Sequence, residues 1–135
     1  MPSLIRERPL IAVVDDEESI RRALTRVLRS AGLAVETFPS GVEFIESIKR
    51  QQPDCLVLDL HMPRLSGFEV QTELAQRGTR IPVIVITADD SAEVREEAMA
   101  GGPVAFFRKP VESEALLEAI ACVLGPERSK PSQPQ

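Results

Sequence analysis

Three stretches of this chain are too apolar for a sheet with one wet face. "LIAVV" (10–14), "CLVLDL" (55–60) and "IPVIVIT" (81–87) are almost unbroken runs of aliphatic residues. A strand wetted on one side alternates apolar and polar residues. A strand covered on both sides need not, and that is how parallel sheets read when helices pack on each face. Two more runs, "LAVETF" (33–38) and "VAFF" (104–107), bring the total to five. The former alternates and reads as an edge strand. The longest apolar stretch, "IPVIVITA", falls well short of the ~20 residues that cross a bilayer.

Helical patterns separate the runs. From Ile20, apolar residues recur at Ala23, Leu24, Val27, Leu28 and Ala31, and Gly32 supplies a stop. "GVEFIESIKR" is read with Val42, Ile45 and Ile48 on one side. "GFEVQTELAQRG" runs from Gly67 to a stopping Gly78. "SAEVREEAMAGG" starts at a Ser91 cap and ends at Gly101–Gly102. "ESEALLEAIACVL" groups Leu116, Ile120 and Val123 before Gly125–Pro126. Five strands alternating with five helices predict an α/β fold, a single doubly wound parallel sheet joined by right-handed crossovers.

A length of 135 residues suits one domain and is enough to bury a core without disulfides or structural metal. The expected division is an N-terminal extension over 1–8, a domain over 9–124, and a disordered tail or linker stub over 125–135, where "GPERSKPSQPQ" has no apolar period. The net charge of -5 argues against a nucleic-acid or anionic-membrane surface. Cys55 and Cys122 form no CxxC pair and read as small buried hydrophobes. "MPSLIRERPLI" carries charge where a signal peptide needs apolar residues, so a cytoplasmic location is expected.

Ligands of open α/β sheets bind beyond the carboxyl ends of the strands. The residues there are Asp15 and Asp16 after the first run, Asp59 after the third, Thr87 after the fourth, and Lys109 followed by Pro110 after the fifth. Three carboxylates gathered together repel one another, and one tends to take up a proton. A divalent cation relieves that conflict, and Mg²⁺ suits oxygen ligands. If one carboxylate is also a nucleophile, the metal and Lys109 stabilise the oxygens of a phosphoryl group, and Thr87 donates to the same group.

Four motifs in order, "VVDDE", "LVLDLHMPRLSG", "VIVITA" and "FFRKP", resemble the receiver domain of two-component response regulators over residues 9 to about 124. The resemblance implies a flavodoxin-like sheet in the order 2-1-3-4-5, flanked by five helices. It implies that Asp59 is the phosphoacceptor, that Asp16 binds Mg²⁺ (or Mn²⁺) directly with Asp15 helping through water, and that the His61 backbone carbonyl completes the protein's metal ligands. It implies that Thr87 and Lys109 bind phosphoryl oxygens, that Lys109–Pro110 is a cis peptide, and that Phe106 is an aromatic switch. The implied phosphodonor is a sensor histidine kinase or phosphotransfer protein. The implied readout is altered partner binding on the face of the fourth helix, fifth strand and fifth helix, with an output domain or a downstream protein as the receiver of the signal. "RIPVIVITADDS" looks closer to nitrogen-fixation-type regulators.

Other readings stand beside these. Asp15 to Glu18 would also complement a helix start. His61 and Asp89, each two residues past a key position, are expected to flank the phosphoryl group and set its lifetime. Phe106 and Phe107 point to opposite faces, one in the core and the other more open. Ile20 is expected to be partly exposed for kinase docking, with Arg21 and Arg22 solvated. The fifth helix carries Glu112, Glu114 and Glu118 but no base, which speaks against a charged dimer seam of the winged-helix regulator type. Two rivals are an aspartyl-phosphate hydrolase, which commonly has a second aspartate where His61 stands, and a receiver-like interaction module that is never phosphorylated. The chain is read as a signalling receiver and not an enzyme.

Overall fold

The computed structural model describes residues 8–129, the last four by backbone alone. Its elements are β1 (Leu10–Val14), α1 (Glu18–Ser30), β2 (Ala34–Phe38), α2 (Gly41–Ser47), β3 (Cys55–Asp59), α3 (Gly67–Gln76), β4 (Val83–Thr87), α4 (Ala92–Ala100), β5 (Ala105–Arg108) and α5 (Ser113–Ser129). The strands form one sheet in the order β2-β1-β3-β4-β5, every pair parallel. The alternating β2 lies at an edge, as its pattern predicts.

The unbroken apolar runs pack on both faces. Ile11, Val13, Cys55, Val57, Ile84 and Ile86 meet Leu24 and Leu28 of α1 and Leu116 and Ile120 of α5. Their in-strand neighbours Ala12, Val14, Leu56 and Leu58 point the other way, onto Phe44 and Ile45 of α2 and Val70 and Leu74 of α3. Each fully buried aliphatic side chain contributes about 1.5–3 kcal/mol, so these strands dominate the stability. A smaller group, Leu60, Val85 and Ala98, seats α4.

Local chemistry sets the helix ends. Ser66 caps α3 and exchanges hydrogen bonds with Glu69 in a capping box. The Ser91 hydroxyl accepts the Val94 N–H at the start of α4. The backbone at Gly125 leaves the helical region (φ 86°, ψ 164°), which stops the α5 ladder where the sequence places a stop, and the chain turns helical again to Ser129. The expected extension over 1–8 lies outside the described residues except for Arg8; of the expected tail over 125–135, residues 125–129 are described, as the end of α5, and 130–135 lie outside the described residues. Among the described residues, no helix is long and apolar enough to cross a membrane.

Two packing expectations are corrected. Val42 is exposed, and the α2 face that enters the core is Gly41, Phe44, Ile45 and Ile48, which is the i, i+3, i+4, i+7 set counted from Gly41. A Cβ on Gly41 would sit 2.7 Å from Val70 Cγ2, so the smallest residue lets the helix settle close and rotates Val42 outward. Cys122 is exposed and only Cys55 is buried. Burial, offset in part by the Leu56 backbone, pushes the Cys55 thiol up to about 12, leaving it inert.

Candidate functional site

Parallel pairing brings the strand ends level. Val14 is opposite Leu58, Asp59 opposite Ile86, and Thr87 opposite Arg108, so the next residues of β1, β3, β4 and β5 share one edge. Carboxylate oxygens of Asp15, Asp16 and Asp59 there lie within 4.8 Å of one another. Asp15 is fully buried and Asp59 only 3% exposed, whereas Asp16 is exposed. Lys109 Nζ approaches from β5, 2.8 Å from Asp15 Oδ2 and 3.5 Å from both Asp59 Oδ1 and Glu17 Oε1. The Lys109–Pro110 peptide is cis, and the Lys109 N–H bonds the Thr87 carbonyl at 2.8 Å. The side chains of Asp15, Asp16, Asp59 and Lys109 meet at this edge, while Thr87 is tied to it through its backbone carbonyl.

The electrostatics follow from burial and crowding. Desolvation first, and the charge of Asp15 second, raise Asp59 from 3.8 to about 7 against the attraction of Lys109. Burial works against the charge of Lys109, but contact with Asp15 and the fields of Asp59 and Glu17 outweigh it and hold the ammonium above its ordinary value. Asp15 Oδ1 accepts the Glu17 N–H at 2.9 Å. Its other oxygen is fully buried and faces only the Lys109 ammonium, at 2.8 Å. Three carboxylates with oxygens within 4.8 Å of one another, two of them buried and sharing a single ammonium, fit a divalent cation with oxygen preference. The His61 carbonyl, on the loop after β3, accepts no hydrogen bond from the described residues and is available as a further ligand. The donor set is all oxygen, which suits Mg²⁺ or Mn²⁺.

Gly67 tightens the wall behind Asp59. A Cβ there would stand 2.3 Å from the Asp59 carbonyl oxygen and 2.7 Å from Leu60 Cα, so α3 starts against the strand that carries the carboxylate.

The remaining candidates are placed as follows. Thr87 is buried, and its hydroxyl is engaged within its own loop, accepting the Asp89 N–H at 3.1 Å and donating to the Asp89 carbonyl at 3.3 Å. His61 Nε2 lies 3.9 Å from Asp89 Oδ2, both side chains about half exposed. The Asp89 carboxylate accepts the Ser91 N–H, which holds it below its ordinary value. Phe106 and Phe107 do face opposite sides, but both are half-buried, Phe106 among Leu60, Val85 and Ala98 and Phe107 against the α1–α5 layer. Ile20 is half-buried against that layer as well. Arg22 pairs with Glu18 on the surface. Arg21 departs from expectation: its Nη1 donates to the Asp15 carbonyl at 2.7 Å, so it braces the loop that presents the acids.

A family model for the response regulator receiver domain matches residues 11–121. The chain belongs to the response regulator receiver family. This receiver is 39% identical over 123 residues to nodulation protein W of Bradyrhizobium diazoefficiens, covering 91% of the chain and 54% of that protein. It is 38% identical over 115 residues to response regulator protein TodT of Pseudomonas putida, covering 85% and 51%. The chain thus spans about half the length of these curated relatives. Among solved structures, a response regulator receiver protein from Burkholderia phymatum is 44% identical, with a TM-score of 0.76 over 86% of this chain and 94% of that one.

Three contacts of the receiver had no clear sequence signal. Arg21 sits in a helix rich in arginine, and nothing marks it from its neighbours. Arg95 of α4 lays its guanidinium 4.4 Å from the centroid of the Phe106 ring, although it reads in sequence as one charge of an exposed helix. Gln71 of α3 is buried and donates to the Ala98 carbonyl of α4 at 3.2 Å, and a Cβ on Gly101 would meet its amide at 2.6 Å.

Proposed function

We propose that this receiver is a cytoplasmic phosphorylation switch. Asp59 accepts a phosphoryl group from the phosphohistidine of a sensor histidine kinase or phosphotransfer protein, with Mg²⁺ or Mn²⁺ held by Asp15, Asp16, Asp59 and the His61 carbonyl. The single observation that carries this reading is the meeting of three carboxylates within 4.8 Å with an ammonium 3.5 Å from Asp59 Oδ1.

An Asp59 carboxylate oxygen attacks phosphorus. The phosphorus–nitrogen bond of the donor breaks, its electron pair leaves on the imidazole, and an aspartyl phosphate remains. A bound divalent cation supplies charge neutralisation for the carboxylates and the phosphoryl oxygens. The chain's own residues do the rest. Asp15 draws Lys109 to the site, and Lys109 is placed to bind a phosphoryl oxygen. Thr87 gives up its bond to the Asp89 carbonyl to donate to the new group. The loop after β4 then shifts, the surroundings of Phe106 change, and the face of α4, β5 and α5 alters its affinity for partners, including any output domain of a longer protein. This is a shift between two populations.

The test is exposure of the purified chain to acetyl phosphate with Mg²⁺. The expected result is a mass gain of one phosphoryl group mapped to Asp59 and abolished by a chelator. No modification under any metal condition would support the inert interaction module, and rapid turnover of small phosphoesters would support the hydrolase. His61 and Asp89 follow β3 and β4 and face each other at 3.9 Å. Replacing either with alanine is expected to change the lifetime of the aspartyl phosphate several-fold, measured as loss of the mass gain after the donor is removed; unchanged lifetimes would exclude the pair from that role.

A further inference from the structure

Asp16 is the exposed member of the acidic trio, and its carboxylate makes no hydrogen bond or ion pair with the described residues. Asp15 is held on every side. It is fully buried, its N–H bonds the Phe38 carbonyl of β2 at 3.1 Å, and its two carboxylate oxygens meet the Glu17 N–H and the Lys109 ammonium. Only the main chain aims the Asp16 carboxylate at the site.

Arg21 holds that main chain at two points. Its Nη1 donates to the Asp15 carbonyl, the oxygen of the peptide that leads into Asp16, at 2.7 Å. Its own N–H donates to the Glu17 carbonyl, one residue past Asp16, at 3.1 Å. Asp16 thus lies between two carbonyls fixed by one residue, on a helix seated in the core by Leu24 and Leu28. A hydrogen bond from a charged donor is about twice as strong as a neutral one. This one opposes the peptide rotation that would swing the Asp16 carboxylate out of the trio. Four consecutive acids, Asp15 to Glu18, precede Arg21, and it pairs with none of them among the described residues. With the guanidinium directed at the main chain, the Asp16 carboxylate stays open to a cation.

We propose that Arg21 is a positioning residue for the metal: by clamping the Asp15–Asp16 peptide it sets the affinity of the acidic trio for a divalent cation. This role rests on Asp15, Asp16 and Asp59 being metal ligands. Charge alone makes the opposite demand. A guanidinium near a cation site repels the cation, so its removal would tighten binding. Loss of a group that orients a metal ligand weakens binding, commonly by about tenfold or more. The sign of the change separates positioning from simple electrostatics.

Titration of the full chain with Mn²⁺, the free ion counted by electron paramagnetic resonance, tests it. The wild type is expected to bind Mn²⁺ and Asp16→Asn to lose most of that affinity. Arg21→Met, similar in length and uncharged, is expected to weaken binding about tenfold. Arg21→Lys, which keeps the charge but not the planar fork, is expected to fall between the two. Arg22→Met removes the same charge one residue on, where the side chain pairs with Glu18 on the surface, and is expected to leave binding unchanged or slightly tighter. Circular dichroism and the metal-free melting temperature are read alongside. A folded Arg21→Met that binds Mn²⁺ as tightly as the wild type or more so overturns the proposal, even where it melts lower, because the residue is then a structural brace only. Equal weakening in Arg22→Met overturns it as well. Should Arg21→Met not fold, Arg21→Lys decides, and an affinity equal to the wild type's overturns the proposal. A wild type that binds no Mn²⁺, or an Asp16→Asn variant that binds as well as the wild type, overturns the metal site itself and this role with it.

Discussion

Asp59→Asn is expected to abolish phosphoryl acceptance and, in the same protein, to raise the melting temperature at pH 8. The first effect removes the nucleophile. The second follows from the direction of the Asp59 shift. Folding raises this carboxyl from 3.8 to about 7, so the native state binds its proton more tightly than the unfolded chain does. Below about pH 4 both states are protonated and the residue costs nothing. As pH climbs from about 4 to 7, the unfolded chain sheds its proton while the native state resists, and stability falls. Above about 7 both are ionised and the whole cost is present. A rise of that size corresponds to about 4 kcal/mol, which solvent screening at the open edge reduces to roughly 2. Thermal melts of wild type and variant should therefore coincide near pH 4 and separate by several degrees above pH 7, the variant being the more stable. Saturating Mg²⁺ should close the gap at pH 8 by stabilising the wild type. A variant that melts below the wild type at every pH would mean that the carboxyl is not under electrostatic strain.

Gly67→Ala should cause the larger structural loss. The added methyl meets backbone on all sides, the Asp59 carbonyl at 2.3 Å and Leu60 Cα at 2.7 Å, and no flexible side chain can give way. Either α3 withdraws from β3 or the strand end moves. Overpacking of this kind costs about 3 kcal/mol, a fall of roughly 10 °C in melting temperature for a domain of this size. Because the obstructed atoms belong to the residue that bears the nucleophile, Mg²⁺ stabilisation and phosphoryl acceptance should fall together with stability. Ser66→Ala, one residue earlier, is the control: it removes only the helix cap, at about 1 kcal/mol, and should leave the chemistry intact.

The fold was legible because burial on both faces leaves a mark that few other arrangements leave. The runs ending at Val14, Asp59 and Thr87 could hardly serve as anything but central strands, and a parallel sheet brings their carboxyl ends to one edge. That alone assembled Asp15, Asp16, Asp59 and Lys109. Short amphipathic helices were harder to read. In α2, two registers are nearly equal in hydrophobicity, and the decision for Phe44 over Val42 rests on how closely Gly41 approaches Val70, a tertiary fact. Cys122 failed for the same reason, since α5 buries Leu116 and Ile120 and turns the cysteine outward. Contacts made by long polar side chains were not legible. Arg21 reaching the Asp15 carbonyl, Arg95 over Phe106 and Gln71 crossing between helices depend on rotamers and on neighbours supplied by other elements. Thr87 was found by position, but not its engagement with Asp89.

Helix α4 contributes one buried residue, Ala98, and the carbonyl of that same residue takes the Gln71 amide. Its firm attachments therefore sit together near its C-terminal end, while its first turn adjoins the loop that leaves Thr87. The helix has the mechanics of a lever pinned at its far end, where a small displacement at the loop is magnified into rotation about the pin, and that pin is one residue, Ala98, held by its buried methyl and by the Gln71 amide on its carbonyl.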